Sequence, residues 1–194
     1  KADGRLRLTN IGGMKPANAE AENVRIVTKA DGIYEGVCQL INASVHVNGD
    51  YEKTERNWDT IEVLVDEPVS SKEDTLKLGI MPGDYVCFEP RTRVTKSGYI
   101  KSRFLDDKFS AAILLGYGKY LKEENIQPGR FVYAHFTVYE EVGHGGCAAI
   151  PDGVTEMISV DMGCVGKGLE CDETMVSICA KDSMGPYDYQ VVSG

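Results

Sequence analysis

The sequence predicts an α/β protein with a small, barrel-like β-rich module in its first half. Short alternating runs separated by Gly and Asn dominate residues 1–95, as in small barrels and sandwiches. Apolar residues at a helical period begin near residue 106, and three nearly continuous apolar runs follow, as in strands covered on both faces. We therefore expect a β-rich domain at 1–95 and an α/β portion, a sheet covered by helices, at 96–194.

The composition is that of a globular protein and argues against two classes of partner. Apolar residues make up 42% of the 194 residues and charged residues 26%, so disorder is not expected. The formal charge is -9, and no basic block interleaves with aromatic residues, which argues against nucleic acid. No apolar run approaches the roughly 20 residues of a membrane span. We expect neither nucleic acid nor a membrane as partner.

The cysteines favour a reducing compartment. They lie in apolar runs at irregular spacings, without a Cys-x-x-Cys pair, at Cys38, Cys87, Cys147, Cys164, Cys171 and Cys179. Such a pattern is more typical of buried reduced thiols than of disulfides or a zinc knuckle. We therefore expect a cytoplasmic protein.

The β-rich domain is predicted to contain several short strands and one helix. The predicted strands are residues 5–9, 24–28, 33–38, 61–65, 85–89 and 93–95. Asp31 and Gly32 indicate the turn of a hairpin. The Ser-x-x-Glu spacing from Ser70 to Glu73 is that of a capping box and predicts a short helix that ends at Gly79.

A longer helix is predicted to begin at Asp106 or Asp107 as N-cap and to stop between Asn125 and Gly129. Its apolar face holds Phe109, Ala112, Ile113, Gly116, Tyr117, Tyr120 and Leu121. Gly116 and Gly118 each weaken a helix by up to ~1 kcal/mol relative to Ala, so we expect them to permit close packing on a sheet. Buried strands are expected at 131–138, 157–160 and 175–179.

Carboxylates stand at the ends of three of these apolar elements. Asp106 and Asp107 open the helix, Glu140 and Glu141 follow one predicted strand, and Asp161 ends another. Open α/β sheets place their sites at the carboxyl ends of strands, and converging carboxylates suit divalent cations. Each signal also has a structural interpretation, because Asp is a common helix cap and a common turn residue.

The adjacent pair Glu140 and Glu141 is the stronger signal. Two carboxylates at the end of a buried strand repel each other and lose hydration unless a cation or a proton compensates. The glycines that follow, from Gly143 to Gly146, let the chain turn so that both carboxylates face one cavity. One could then ligate a metal while the other accepts a proton. The alternative is a solvated strand end.

The histidines carry weaker signals. His135 lies within an apolar run, so we expect a hydrogen-bonded core histidine. His144 stands on the glycine turn beside Glu141, where it could contact substrate, support a metal ligand or face solvent. His46, among Asn and Gly residues, is expected on a loop.

Three motifs together resemble the M42 family of metalloaminopeptidases, the glutamyl and tetrahedral aminopeptidase group. They are Phe-Leu-Asp-Asp-Lys at 104–108, Thr-Val-Tyr-Glu-Glu-Val-Gly at 137–143 and Ser-Val-Asp at 159–161. Leu-Thr-Asn-Ile-Gly-Gly at 8–13, Ser-Ser-Lys-Glu at 70–73 and Met-Pro-Gly-Asp at 81–84 resemble the family's inserted β-rich domain. The resemblance covers nearly the whole chain.

The resemblance implies a site for two divalent metal ions, zinc or cobalt. Asp106 would bridge the two ions, while Glu141 and Asp161 would each ligate one. The catalytic carboxylates would be Glu140, as general base, and Asp107, which would shape the bridging carboxylate.

The implied reaction is the removal of N-terminal residues from peptides. A metal-bridging hydroxide would attack the first peptide carbonyl, and Glu140 would pass the proton to the leaving amine. His144 and Gly143 would contact substrate or support the ligands. The β-rich insertion would mediate dimers, which in the family assemble into a hollow dodecamer.

The chain departs from the family pattern in its histidines. The family has a His-x-Asp motif before the insertion and a ligand His near its C-terminus, and the 194 residues contain neither. We therefore expect this chain alone to be inactive and the protein that contains it to be an aminopeptidase. The alternatives are another co-catalytic metal hydrolase, such as a deacylase or carboxypeptidase, and a non-catalytic assembly or scaffold piece.

Overall fold

The first half of the chain forms a five-stranded antiparallel sheet with the strand order β1-β4-β3-β2-β5. The computed structural model describes residues 1–146 and 148–193. The strands are β1 (Leu6–Arg7), β2 (Asn23–Val27), β3 (Ile33–Leu40), β4 (Ile61–Val65) and β5 (Tyr85–Phe88). The predicted strands of this region are confirmed, with shifts of one or two residues at their ends. β1 and β5 are the two edges of the sheet as described, so the barrel-like form stays a prediction.

The alternation of apolar and polar residues decides which face of the sheet is buried. In β2, Val24 and Ile26 are buried while Arg25 between them is exposed, as the period of two requires. The hairpin register pairs Val27 with Ile33, and Asp31 has the positive φ of 62° that the turn needs. The core consists of Ala19, Val24, Ile26, Cys38, Leu40, Ile61, Val63, Val65 and Ile80.

Helix α1 (Lys72–Lys77) is capped one residue later than predicted. The Ser71 hydroxyl, not that of Ser70, accepts a hydrogen bond from the Asp74 amide at 3.2 Å. The Asp74 carboxylate in turn accepts from the Ser70 amide at 3.3 Å. Asp74 thus reaches back to the amide just before the cap residue, a variant of the capping box in which the reciprocal bond goes to Ser70 rather than to Ser71. Gly79 ends the helix as predicted, at φ +82°.

After the sheet, β6 (Arg93–Val94) and β7 (Ile100–Lys101) form a separate hairpin, and helix α2 (Leu105–Glu123) follows. The long predicted helix is thus confirmed. Its apolar face is not covered within the described residues, since the exposed fraction of Tyr117 is 46%. A Cβ added at Gly116 or Gly118 would meet no described atom within 4 Å, so the expected close packing on a sheet is not seen.

The three apolar runs at 131–138, 157–160 and 175–179 form no strand in the described part of the chain, so that prediction is wrong for this structure. Phe131 is 92% exposed and His135 is exposed, which also overturns the expected core histidine. An apolar run becomes a buried strand only when neighbouring strands satisfy its backbone and other elements cover both faces. The chain ends with β8 (Lys181–Asp182), β9 (Gly185–Pro186) and α3 (Tyr189–Ser193).

The chain divides into two compact units. The first unit is Lys1–Arg103 with Thr137–Ile150, and the second is Phe104–Phe136 with Pro151–Gly194. The first unit contains the sheet and the Glu140–Glu141 pair, and the second contains α2 and Asp161. The domain boundary near residue 95 stays a prediction.

The described cysteines are all free thiols, but most of them are not buried. Cys38 lies in the core, and burial raises the pKa of its thiol to about 12. Cys87, Cys164 and Cys179 are exposed and Cys171 is partly exposed, so the expectation of buried thiols is wrong for these four. Two of the exposed thiols lie beside predicted strands that do not form in the described part of the chain. Cys164 follows the apolar run at 157–160, and Cys179 ends the run at 175–179. Cys147 lies outside the described residues.

Membrane crossing is not supported by any described helix. A spanning helix needs about 20 consecutive apolar residues, and α1, α2 and α3 all lack the required length or apolar character.

Candidate metal centre

The backbone at the start of α2 departs from helical geometry at the two aspartates. Phe104 has a left-handed φ of 59°, and Asp106 and Asp107 have non-helical angles of φ -80°, ψ 111° and φ -115°, ψ 31°. The peptide bond between Asp106 and Asp107 is cis. Phe104 is the residue before α2 as a whole, but the non-helical angles of Asp106 and Asp107 interrupt the helix, and its continuous turns begin after Asp107. The expectation that Asp106 or Asp107 caps these turns stays a prediction.

Three carboxylates of the second unit meet at this point. Asp106, Asp107 and Asp161 each offer one oxygen, and these oxygens all lie within 4.8 Å of one another. Asp161 reaches the cluster from an irregular segment, and its Oδ1 accepts a hydrogen bond from the Met162 amide at 2.6 Å. The structure therefore brings together two of the three acidic signals that the sequence shows.

The cluster concentrates negative charge. Partial burial raises the pKa of the Asp106 carboxyl, and the nearby charges of Asp161 and Asp107 raise it further. Asp107 Oδ1 is buried and has no hydrogen-bond partner in the described part of the chain. A buried carboxylate oxygen without a donor is costly, and three like charges repel one another.

A divalent cation at this cluster would neutralise the charges that repel one another. The donor set consists of hard carboxylate oxygens, which fit such a cation. It does not select one metal, since carboxylates ligate several divalent ions. The three aspartates of the second unit therefore form a possible acidic metal site.

Glu140 and Glu141 lie in the first unit, on a single turn of 3-10 helix, Glu140–Val142. The expected strand end is therefore not observed, because residues 131–138 lack strand neighbours. Both glutamates are exposed. Gly143 closes the turn with a φ of 89°, and its amide donates to the Glu140 carbonyl at 2.8 Å. A 3-10 turn directs successive side chains about 120° apart rather than to opposite faces.

His144 packs against the same turn. Its ring stacks on Tyr139 with 4.9 Å between centroids and an interplanar angle of 18°. The His144 amide donates to the Tyr139 carbonyl at 3.1 Å, so residues 139–144 close on themselves. The side chain is exposed, and a contact with substrate stays a prediction for both His144 and Gly143. His46 lies in an exposed turn, as expected.

Sequence reasoning missed one residue beside the glutamates. Gly12, named above only within the 8–13 motif, lies so close to the Glu141 backbone that an added Cβ would be 2.9 Å from the Glu141 carbonyl oxygen. The available signal was the adjacent pair Gly12 and Gly13 after Asn10, since paired glycines often mark a close approach of two backbones.

Comparison with known proteins accounts for the motifs. A family model described as M42 glutamyl aminopeptidase matches residues 1–194. The chain belongs to the M42 family. The predicted family resemblance is thereby confirmed over the full length of the chain.

Two curated relatives and one solved structure show how far the similarity extends. YhfE of Bacillus subtilis (strain 168), named as a proposed aminopeptidase, is 44% identical over 191 residues, which cover 98% of this chain and 55% of YhfE. Lysyl aminopeptidase of Pyrococcus furiosus is 25% identical over 161 residues, which cover 82% of this chain and 44% of the relative. The TET1 peptidase of Pyrococcus horikoshii superposes with a TM-score of 0.59 at 31% identity, covering 74% of this chain and 41% of the peptidase.

The chain spans about half the length of the curated relatives it matches. It contains both helices and strands, and it fits part of the fold of the solved TET1 peptidase. M42 peptidases are metal-dependent, which agrees with the acidic cluster of Asp106, Asp107 and Asp161.

Proposed function

We propose that this chain is part of a metal-dependent aminopeptidase that removes N-terminal residues from peptides. The observation that carries the proposal is the convergence of Asp106, Asp107 and Asp161 within 4.8 Å in a chain whose whole length matches the M42 family. Because the chain spans about half of its curated relatives, we assign the activity to the complete gene product.

The proposed site holds two divalent metal ions, zinc or cobalt, which when bound would supply Lewis-acid activation of the scissile carbonyl and of water. Asp106, Asp161 and Glu141 would hold these ions, Asp106 as the ligand shared by both and Asp161 and Glu141 as ligands of one each. The raised pKa of Asp106 supports this assignment, because a cation would offset the repulsion from Asp161 and Asp107 that contributes to it. Asp107 holds the bridging carboxylate in place.

Glu140 is the proposed general base. Its carboxylate takes a proton from the attacking water and passes it to the nitrogen of the scissile bond, which leaves as the new amino terminus of the shortened peptide. The exposure of Glu140 on a short turn supports this role, since a proton carrier must reach both water and the leaving group. Gly143 and His144, on the same turn, contact the substrate.

The remaining ligands and strands are proposed to come from residues outside these 194. The uncovered apolar runs at 131–138, 157–160 and 175–179 support this, because they have the composition of buried strands without neighbours. We expect the isolated 194-residue chain to be inactive, since it contains neither of the two expected histidine ligands.

We further propose that the β-rich domain is a barrel-like insertion that mediates self-association into dimers and larger shells. The TET1 peptidase of Pyrococcus horikoshii can assemble into a tetrahedron or a large octahedral shell, which supports the proposal by analogy. A cytoplasmic location is proposed from the free cysteines of the described residues.

A panel of peptides tests the proposed function. The complete gene product, loaded with zinc or cobalt, should cleave peptides with a free amino terminus, leave acetylated peptides intact and lose activity in EDTA. Its Glu140→Gln variant serves as the matched control, and the 194-residue chain should show no turnover. Equal cleavage of blocked peptides would favour a deacylase or carboxypeptidase instead. Absence of turnover in the metal-loaded complete protein would favour a scaffold.

A further inference from the structure

The loop at residues 10–13 touches the turn that carries Glu140 and Glu141. Gly12 has a φ of +75°, and a Cβ built on it would lie 2.9 Å from the Glu141 carbonyl oxygen and 3.8 Å from Val142 Cγ1. Cβ atoms do not approach other heavy atoms within 3.0 Å. The obstructing atom belongs to the backbone, so no side chain can swing away to make room. Both the conformation and the space at this position therefore require glycine.

The loop itself is anchored to the core of the sheet. Leu8 and Met14, on either side of it, both pack against the buried core residues. Within the loop, the Asn10 side-chain amide donates to the Gly12 carbonyl at 2.9 Å, which holds the glycine in place. A chain of contacts thus runs from the core through the loop to the backbone of Glu141.

The turn has its own local hydrogen bonds, but these fix only its internal shape. The Gly143 amide binds the Glu140 carbonyl, and the His144 amide binds the Tyr139 carbonyl. These bonds join residues within the same short segment and do not connect it to the sheet. The contact at Gly12 does make that connection.

We propose that Gly12 is a positioning residue for Glu140 and Glu141. The loop at 10–13 holds the Glu140–Val142 turn against the β-rich core. A side chain at residue 12 would push the turn away from the loop and move both carboxylates with it. This inference rests on the proposed function in assigning catalytic and ligand roles to the two glutamates. The seating of the turn does not depend on those roles.

Two glycines of the first unit provide matched controls for Gly12→Ala. Gly13 adjoins Gly12, lies outside the left-handed region and has no atom within 4 Å of a built Cβ. Gly79 has a similar positive φ of +82°, and its built Cβ also meets nothing within 4 Å. Gly13→Ala therefore controls for the loop, and Gly79→Ala controls for left-handed backbone strain.

The first measurement uses the 194-residue chain. Backbone amide resonances of residues 139–145 should shift in Gly12→Ala and stay in place in Gly13→Ala and Gly79→Ala. The second measurement uses the complete gene product, where Gly12→Ala should lower kcat by about tenfold to a hundredfold and weaken zinc binding. KM and the melting temperature should match those of Gly79→Ala.

The inference is overturned if Gly12→Ala leaves the 139–145 resonances unchanged. It is also overturned if zinc affinity and kcat fall no further than in Gly79→Ala. If the wild-type complete protein cleaves no peptide, the proposed function fails by itself, and the resonances and zinc affinity still decide whether Gly12 seats the turn.

Discussion

Replacing Asp161 with Asn should stabilise the metal-free chain and weaken its binding of metal. Asp161 is the member of the acidic cluster that is remote in sequence from Asp106 and Asp107, so its repulsion with them exists only in the folded state. Asn has nearly the same shape and lacks the charge. The substitution therefore removes a folded-state repulsion together with a ligand.

The size of the effect follows from the distances. Two unit charges 4.8 Å apart, the outer limit of the cluster, interact by about 0.9 kcal/mol in water. Asp106 and Asp161 are exposed, so this screened value applies rather than the larger interior value. Asp161 faces two carboxylates, and its loss should raise the free energy of unfolding by about 1–2 kcal/mol at neutral pH and low salt. Metal affinity should fall at least about tenfold, since even loss of a supporting residue costs that much.

The sign of the pH dependence follows from Asp106. The pKa of Asp106 in the folded protein is raised above its ordinary value of 3.8. Ionisation of Asp106 therefore destabilises the folded protein at pH values above the raised pKa, and this loss is absent below pH 3.8. The stability advantage of Asp161→Asn should therefore be largest at neutral pH. It should shrink as the pH falls towards 3.8 and the Asp106 carboxyl takes up a proton.

Urea denaturation in EDTA at pH 7 and pH 4 measures this advantage, and calorimetric titration with zinc measures the affinity. Asp152→Asn is the control, because Asp152 is an exposed turn residue outside the cluster and its replacement removes the same charge. A metal-free Asp161→Asn protein that is less stable than wild type, with unchanged zinc affinity, would refute the reasoning.

Two further predictions concern the first unit. Ile26→Ala removes a fully buried core side chain and should lower the free energy of unfolding, measured by urea denaturation, by about 3–4 kcal/mol. Ile33 is 62% exposed, so Ile33→Ala should lower it by less than about 1 kcal/mol. Equal losses in the two variants would contradict the assigned core. A hydrogen bond from the Ser71 hydroxyl lowers the pKa of Asp74 from 3.8 to about 2. The wild-type protein should therefore be more stable than Asp74→Asn at pH 7. This difference in stability should disappear as the pH falls from 3.8 towards 2. A pH-independent difference would contradict this cap.

Local signals predicted the β-rich half well, because there the sequence pattern and the contacts agree. Residues 61–65 form β4 without a shift of either end, and Asp31 and Gly32 make the expected hairpin turn. The cap of α1 moved from Ser70 to Ser71 because Asp74, rather than Glu73, reaches back to the helix start. Such choices between adjacent residues depend on side-chain length and are hard to read from a spacing rule.

The apolar runs of the second half were predicted less well, because strand formation is not a local property. Residues 131–138 have the composition of a buried strand, yet composition cannot supply the neighbours that would bind their backbone. The burial of His135 and of Cys179 was expected from these same strands, so those two expectations are wrong for the same reason.

At the candidate site, the sequence pointed to Asp106, Asp107 and Asp161 as acidic ends of elements. That these three side chains lie close together is a property of the tertiary structure, and their spacing in the sequence does not reveal it. The closeness of Gly12 to Glu141 is likewise invisible without the fold, because the two residues lie far apart in the chain.

The central claim is that the acidic residues of this chain serve a metal-dependent aminopeptidase, with Glu140 moving the proton. Its most direct test is the turnover and metal content of Glu140→Gln beside wild type, both as complete gene products on a free-amine peptide. The account predicts that the variant keeps the wild-type metal content and loses at least about a hundredfold in kcat, as expected for removal of a general base. Wild-type turnover in Glu140→Gln at equal metal content would contradict it.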